Sequence, residues 1–296
     1  MERKTANDFH PEVMKLFDRF VHGDIDRRGF LNGAAKYAVG GTTAIGLLEA
    51  LSPRFAEAQQ IKKDDARIET KMCEFASPDG HVKANAYMAY PAKSSGKLPA
   101  VVVIHENRGL NPHIEDITRR LAVDGYLAFA PDALFTYGGY PGDEDKAREL
   151  FAKVDQPKAR NDFIAAVKYV KTLSNVNGRV GAVGFCYGGG IANMLATKVP
   201  ELNAAVPFYG PGPSAEDASR IRTPLLIQYA ENDERINAGW PAYETALKAA
   251  GVKYAMHKYP GTQHGFNNDT TPRFDEAAAK LAWTRTLEFF AKHLKT

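Results

Sequence analysis

One segment in the second half of the chain joins an apolar run, a glycine-flanked cysteine and a helix-like stretch in immediate succession. Val180–Val183 has the composition of a buried strand and Ile191–Val199 that of a helix. Between them, Gly184 and Gly188 flank Cys186 at two residues on either side. A strand that turns directly into a helix leaves no room for side chains at the flanking positions and strains the central residue. The pattern predicts that Cys186 is a nucleophile at a helix start, where the helix dipole favours a thiolate; a buried structural cysteine is the alternative.

Candidate partners for this cysteine occur downstream. Asp233 and His264 each follow a strand-like run, so that nucleophile, acid and histidine come in an order used by hydrolytic triads. We predict that His264 accepts the Cys186 proton and that Asp233 fixes the tautomer and orientation of His264. Glu231 and Glu234 are alternatives for the acid, and a surface carboxylate and a capping histidine are the structural alternatives for the pair.

The bulk composition limits the classes of function. A chain of 296 residues with 44% apolar content and a net charge of +3 fits one large domain with an appendage. It contains no zinc-finger spacing and no arginine-rich tract, so we expect no nucleic-acid partner. The two cysteines, Cys73 and Cys186, cannot form a disulfide-rich scaffold. No clustered metal-ligand motif is present, and we predict neither a metal nor another cofactor.

The first sixty residues resemble an export signal. Arg27 and Arg28 stand in a run that is similar to the twin-arginine motif, and an uncharged, moderately apolar stretch follows at 37–48. Residues 56–58 read Ala-Glu-Ala, a cleavage-site pattern before Gln59. The resemblance implies twin-arginine export to the periplasm, and the apolar stretch is too short to span a membrane.

A retained N-terminal arm is the alternative for the same segment. Residues 1–28 contain as many acidic as basic residues, whereas the start of a signal peptide is basic. Five apolar residues also recur at helical spacing, and they are Val13, Leu16, Phe17, Phe20 and Val21. Such a stripe needs a surface to pack on, either of its own domain or of a partner subunit. We therefore divide the chain into 1–58, a signal segment or helical arm, and 59–296, the main domain.

Strand-like and helix-like segments alternate along the rest of the chain. The strand-like runs are 82–90, 100–104, 126–130, 180–183, 204–208, 225–229 and 254–259, and the helix-like runs are 114–124, 158–173, 240–250 and 274–293. Repeated alternation predicts an α/β fold with a mostly parallel central sheet flanked by helices on both faces.

With these elements in place, the chain resembles the dienelactone hydrolase family of the α/β-hydrolase fold. The resemblance rests on the segments 101–111 and 124–132, on the turn around Cys186 and on the turn 263–266. It implies a Cys-Asp-His triad at the residues named above.

The resemblance also implies roles for three further residues. Glu106 corresponds to the acid that contacts the cysteine thiol in the resting site, and a carboxylate that only stabilises a helix N-terminus is the alternative. The backbone N–H groups of Tyr187 and Asn107 are expected to form the oxyanion hole.

The chain departs from the family where substrate is bound. Two arginines that clamp a substrate carboxylate in dienelactone hydrolases correspond to the segment 135–140 and to Asn268 here, so neither arginine is present. Arginines elsewhere could supply a charge, namely Arg108, Arg235 and Arg273, with surface solvation as the alternative for each. We predict a substrate site that contains Arg108 and the aromatic residues Tyr137, Tyr209 and Trp240, with core packing as the alternative for the aromatic residues.

These inferences predict a hydrolase of carboxylic esters or lactones that acts through an acyl-thioester intermediate on Cys186. An acyltransferase or peptidase on the same triad, or a non-catalytic ligand-binding homologue, is the alternative function. The expected partner is a small-molecule ester or lactone, without a stable membrane span, and a homodimer is a possible assembly.

Overall fold

The computed structural model describes residues 4–295. Eight strands form one sheet: β1 (Ile68–Ser77), β2 (Val82–Pro91), β3 (Leu98–Ile104), β4 (Leu127–Pro131), β5 (Val176–Phe185), β6 (Ala204–Phe208), β7 (Leu225–Asn232) and β8 (Tyr254–Gln263). Four helices precede the sheet: α1 (Pro11–His22), α2 (Arg27–Ala34), α3 (Ala44–Leu51) and α4 (Phe55–Ala58). The others are α5 (Pro112–Val123), α6 (Glu144–Phe151), α7 (Gln156–Thr172), α8 (Tyr187–Lys198), α9 (Ala215–Ala218), α10 (Glu234–Asn237), α11 (Trp240–Ala249) and α12 (Glu276–Leu294).

The strand order in the sheet is β1-β2-β4-β3-β5-β6-β7-β8. The first two pairs, β1–β2 and β2–β4, are antiparallel, and every later pair is parallel. The prediction of a mostly parallel sheet is therefore confirmed. β3 is buried along its whole length, as expected of a strand covered on both faces.

Two hydrophobic clusters cover the two faces of the sheet. One contains the inner sides of α7, α8 and α11, and the other contains those of α5 and α12. The parallel strands all end at one edge of this sandwich, which is where α/β proteins place their sites. The residues after β3, β5, β7 and β8 are therefore brought together, although they are far apart in the sequence.

The N-terminal arm, residues 4–58, has a third hydrophobic cluster of its own. Its centre contains Val13, Phe17, Phe20, Phe30 and Leu51, each at most 5% exposed. The apolar stripe of α1 thus packs inside the arm, and the left-handed Gly23 ends this helix. None of the helices in residues 4–295 is long and apolar enough to cross a bilayer.

The arm lies on the main domain through polar contacts. Arg27 forms an ion pair of 2.7 Å with Asp145 of α6. Arg148, also on α6, donates to the carbonyl oxygen of Phe20 at 3.2 Å, and its guanidinium lies 4.0 Å from the centre of the Phe20 ring. The arginine pair of the export-like motif is thus at the start of α2, and Arg27 of this pair forms the ion pair with the main domain. The boundary at 58 stays a prediction.

We expect Phe17→Asp to disrupt the arm's own hydrophobic cluster and to unfold α1. Phe17 is 4% exposed and lies in the arm cluster, so the change removes about 3–5 kcal/mol of packing and places a charge in an apolar environment. Backbone amides of residues 11–22 should then lose their protection from hydrogen exchange. Lys15→Asp is the matched control, because the Lys15 side chain is 70% exposed on the same helix. Equal protection in the two variants would contradict this account of the packing.

Candidate active site

The turn around Cys186 has the strained geometry that the sequence predicts. Cys186 joins β5 to α8 with φ 55° and ψ −112° and is 7% exposed. A Cβ atom at Gly184 would collide with the carbonyl oxygen of Gly188, and one at Gly188 would collide with that of Ile104. Both positions therefore require glycine, and the thiol is held at the helix start.

Asp233 and His264 reach this thiol from the ends of β7 and β8. Nδ1 of His264 lies 2.6 Å from Oδ2 of Asp233, and the two side chains are 4% exposed. Oδ1 of Asp233 accepts from the backbone N–H of Ile236 at 3.3 Å and so caps α10. A ring nitrogen of His264 lies within 4.8 Å of Sγ of Cys186. Because Asp233 occupies Nδ1, Nε2 is the nitrogen that is available to the thiol.

The competing acids point elsewhere. Glu231 is exposed and accepts from the backbone N–H of Gly261 at 2.8 Å, and Glu234 is exposed at the start of α10. Of the three carboxylates, Asp233 is the one that contacts His264.

The charges of the site favour a thiolate. Burial raises the pKa of the Cys186 thiol, but the charge of His264 and the hydrogen bonds with His22 and His264 outweigh burial and lower that pKa to about 6. Burial lowers the pKa of His264, yet Cys186 and Asp233 together raise it. The two shifts agree with one arrangement, a thiolate beside an imidazolium.

We expect the rate at which iodoacetamide alkylates Cys186 to fall as the pH is lowered through about 6. The thiolate is the reactive form, and it is populated above the pKa and lost below it. Cys73 should not react in this range, because burial raises the pKa of its thiol. Alkylation followed by peptide mass measurement between pH 5 and pH 8 checks this. A Cys186 profile that rises only near the ordinary thiol range, about pH 8.5, would contradict the charge arrangement.

The arm adds a residue that the sequence reasoning missed. His22, the last residue of α1, places Nε2 3.5 Å from Sγ of Cys186. Its ring lies edge-on to that of His264, with 4.7 Å between the ring centres. The sequence offers only a weak signal for it, a histidine four residues after Asp18 at the end of an amphipathic helix. Nothing in that pattern indicates which surface the helix covers.

The residues predicted for the oxyanion hole line the same cavity as Cys186. Tyr187 is the first residue of α8, where a backbone N–H has no acceptor one turn earlier within the helix. Asn107 follows β3, and its side chain donates to the carbonyl oxygen of Val21 in the arm at 2.8 Å. Both residues line a cavity of about 330 Å³ that also reaches Cys186 and Tyr209; we call it the side cavity.

Glu106 has a partner other than the thiol. Its Oε2 accepts from the side-chain amide of Asn268 at 2.9 Å, whereas the hydrogen bond of Cys186 is with His22. Asn268, which replaces a family arginine, therefore holds this carboxylate. The contact of Glu106 with the thiol therefore stays a prediction.

A second cavity lies between the arm and the domain. It has a volume of about 300 Å³ and is called the arm cavity here. The residues that line it include Phe17, Phe20 and Phe55 of the arm and Glu106, Cys186 and His264 of the domain. Cys186 lines this cavity as well as the side cavity.

The arginines near the site are mostly buried. Arg108 and Arg273 line the arm cavity and are 6% and 7% exposed, so the solvated-surface alternative is wrong for these two. Arg108 donates to the carbonyl oxygens of Asn107 and Val21, and Nε of Arg108 lies 3.6 Å from Glu144. Arg273 is 3.9 Å from Asp18.

The aromatic residues predicted for the substrate site divide into two groups. Tyr209 is 1% exposed with φ 35°, and its ring centre lies 5.0 Å from that of His264. Tyr137 is 42% exposed and donates to the carbonyl oxygen of Lys153. Trp240 packs on the ring of Tyr229 at 5.9 Å. The structure therefore brings Tyr209 to the nucleophile and brings neither Tyr137 nor Trp240 to either cavity.

One group of side chains has the chemistry of a metal site. One ligand atom each from His22, Cys186 and His264 lies within 4.8 Å of the others, and two imidazoles with a thiolate suit a soft cation such as Zn²⁺. The guanidinium of Arg235 lies 2.8 Å from Nε2 of His22 and engages its lone pair. That positive charge opposes a cation in this arrangement, and we assign no metal.

Comparison with known proteins gives two family matches. Residues 84–294 match the model of the dienelactone hydrolase family, and residues 1–37 match a YqhI-like model. The chain is 34% identical to a putative carboxymethylenebutenolidase of Salmonella typhi over 244 residues, which cover 73% of this chain and 90% of that protein. It is 52% identical to the putative hydrolase fragment YghX of Escherichia coli over 113 residues, 38% of this chain and 97% of the fragment.

A solved structure shows the same architecture. The crystal structure of a putative dienelactone hydrolase from Klebsiella pneumoniae matches with a TM-score of 0.67 and 30% sequence identity, covering 76% of this chain and 99% of that one.

Proposed function

The chain belongs to the dienelactone hydrolase family and is a hydrolase of esters or lactones, and we propose that it acts through Cys186, His264 and Asp233 with an acyl-thioester intermediate. The observation that carries the proposal is the hydrogen bond of 2.6 Å between Asp233 and His264 beside a strained, buried cysteine with a lowered pKa. An Asp–His pair beside a thiol with a lowered pKa is typical of a catalytic cysteine and not of a structural one.

The proposed reaction proceeds in two steps. The Cys186 thiol proton passes to Nε2 of His264, and the thiolate adds to the substrate carbonyl carbon, whose oxygen takes the negative charge beside the backbone N–H groups of Tyr187 and Asn107. The bond to the leaving oxygen then breaks, and that oxygen takes the proton from His264. In the second step a water molecule gives a proton to His264 and attacks the thioester, and the thiolate leaves with the carboxylic acid as product.

The cavities suggest the size and charge of the substrate. A volume of about 300 Å³ closed by the arm suits a small molecule. Arg27, Arg108 and Arg273 line it together with four acidic residues, Glu106, Asp143, Glu144 and Asp145. This balance gives no strong preference for an anion, and we propose a small ester or lactone with a partly apolar acyl group.

The test is a panel of p-nitrophenyl esters of increasing acyl length, small lactones, and one ester with a free carboxylate, each measured with the native enzyme and with Cys186→Ala. We expect turnover of the short esters that is lost in the variant. Single-turnover experiments should trap an acyl-enzyme whose added mass lies on the Cys186 peptide. Ligand binding without turnover of any member would favour a non-catalytic homologue, and turnover that survives Cys186→Ala would reject the nucleophile.

The compartment is a separate proposal. The contacts of Arg27 with Asp145 and of α1 with the site support an arm that stays with the folded enzyme. We propose a retained arm in place of cleavage before Gln59. The intact mass of the enzyme from the native organism's periplasmic and cytoplasmic fractions tests this, since an exported and cleaved form would begin at Gln59.

A further inference from the structure

A second histidine, next to the main domain's own base, contacts the nucleophile. Nε2 of His22 lies 3.5 Å from Sγ of Cys186, and the two histidine rings meet edge-on over the thiol. We propose that His22 is a second catalytic proton acceptor for Cys186, supplied by the N-terminal arm and positioned by Asp18. The role in turnover rests on the proposed ester hydrolysis, but the proton transfer itself does not need an ester.

The two histidines are oriented in the same way. Nδ1 of His22 lies 2.7 Å from the backbone carbonyl oxygen of Asp18 and 3.3 Å from its carboxylate. Both oxygens can only accept, so Nδ1 carries the hydrogen and Nε2 presents its lone pair. Asp233 orients His264 likewise through its 2.6 Å contact. Two Asp–His pairs thus direct Nε2 towards one sulfur atom.

The charges around His22 are consistent with this tautomer. Arg235 of α10 has a terminal nitrogen 2.8 Å from Nε2, and a guanidinium can only donate, so Nε2 is an acceptor. Nε2 can take a proton only after Arg235 has left it, and Arg235 is exposed, so its side chain can move into solvent. Asp18 also faces Arg273 at 3.9 Å. Burial raises the pKa of the Asp18 carboxyl, but the hydrogen bond from His22 and the charges of His264, His22 and Arg273 outweigh burial and lower that pKa. Burial and the charge of His264 lower the pKa of His22, but Asp18 and Cys186 outweigh them and raise it.

The step is a simple proton transfer. The S–H bond of Cys186 breaks, an N–H bond forms at Nε2 of His22, and the electron pair stays on sulfur. On this second route the leaving oxygen of the substrate takes its proton from His22 instead of from His264, and Nε2 of His264 then accepts the proton of the water in the second step. The proton of the Cys186 thiol would then have two acceptors. If either histidine is lost, a fraction of Cys186 would still be present as thiolate.

A steric role is the competing explanation, because the side chain could only shield the thiol. The two roles differ in the titration of Cys186. A proton acceptor lowers the pKa of the thiol, so its removal raises that pKa and slows alkylation near neutral pH. A shield leaves the pKa unchanged, so its removal makes alkylation faster at every pH.

The experiment is the pH profile of iodoacetamide alkylation of Cys186 in the full chain, with no ester present. The variants are His22→Ala, His264→Ala and the double variant. His257→Ala is the control, because His257 is a histidine of β8 that lines neither cavity. We expect each site variant to raise the midpoint, and the double variant to alkylate about 10-fold more slowly near pH 7 than His264→Ala alone. Two results for His22→Ala would overturn the proposal. One is faster alkylation at every pH with the midpoint of the native protein, and the other is a pH profile identical to the native one.

Arm folding is checked in the same samples by hydrogen exchange of residues 11–22. If His22→Ala loses protection there, His22→Gln replaces it, since the amide keeps a polar side chain but cannot take up the proton. A Gln variant with a protected arm and the native midpoint also overturns the proposal. The measurement stays valid if no ester is hydrolysed, so failure of the proposed function and failure of this inference are distinguishable.

Discussion

Cys186→Ser is expected to lower kcat/KM for short esters by about 1,000-fold or more. Serine keeps the size and the strained turn of Cys186, at φ 55°, so binding and folding should change little. Its hydroxyl is far less acidic than a thiol, and a site whose charges stabilise a thiolate near pH 6 cannot generate an alkoxide at neutral pH. Steady-state kinetics on the ester panel measure the loss.

Cys73→Ser is the matched control for this substitution. Cys73 lies on β1, half-buried, and its sulfur donates to the carbonyl oxygen of Ala86 at 3.6 Å. Native activity of this variant, together with preferential alkylation of Cys186 in the native chain, supports the assignment. Equal labelling of the two thiols without loss of activity would contradict the assignment of Cys186 as the nucleophile.

The sequence was sufficient for the sheet and for the turn at the nucleophile. Runs such as 100–104 are apolar and β-branched because β3 is buried on both faces, and this composition distinguishes it without any tertiary information. Gly184 and Gly188 are equally informative, because backbone atoms occupy the space that a side chain would need. The order of Asp233 and His264 after their strands then follows from the topology of parallel strands.

The arm contact could not be predicted in the same way. The stripe of α1 predicts a buried face, and Phe17 and Phe20 are buried, but they pack against α2 and α3 in the arm's own cluster. The residue of α1 that contacts the nucleophile is the last one, His22, which the periodicity does not distinguish. An amphipathic pattern gives the face that a helix buries and not the surface on which it lies.

The substrate residues show a second limit. Tyr137 and Trp240 follow strands and are aromatic, as is Tyr209, yet only Tyr209 is near His264. Their difference depends on the path of each loop, and residue type alone carries no information on that path. Similarly, Glu106 is at the expected strand end, but Asn268 at a position outside the local pattern decides where its carboxylate points.

His264→Ala is expected to lower kcat by about 100-fold or more, and Asp233→Asn should have a similar effect. Asp233 accepts from Nδ1 of His264 at 2.6 Å. An asparagine can present its amide N–H there, which would favour the tautomer with hydrogen on Nε2 and remove the lone pair that faces the thiol. The loss should appear in kcat, because neither side chain needs to contact the bound substrate before reaction.

Glu231→Gln is the matched control, since Glu231 is exposed two residues away and its carboxylate accepts from the backbone N–H of Gly261. Its kcat should stay within about twofold of the native value, in keeping with an exposed group. A larger loss of kcat in Glu231→Gln than in Asp233→Asn would show that Glu231, and not Asp233, is the acid of the triad.

If both His264→Ala and Asp233→Asn kept native kcat, the triad would be rejected. In that case the Asp18–His22 pair could be tested as the main base by combining His22→Ala with His264→Ala: a further fall in kcat would place the base in the arm, and an unchanged kcat would exclude both histidines.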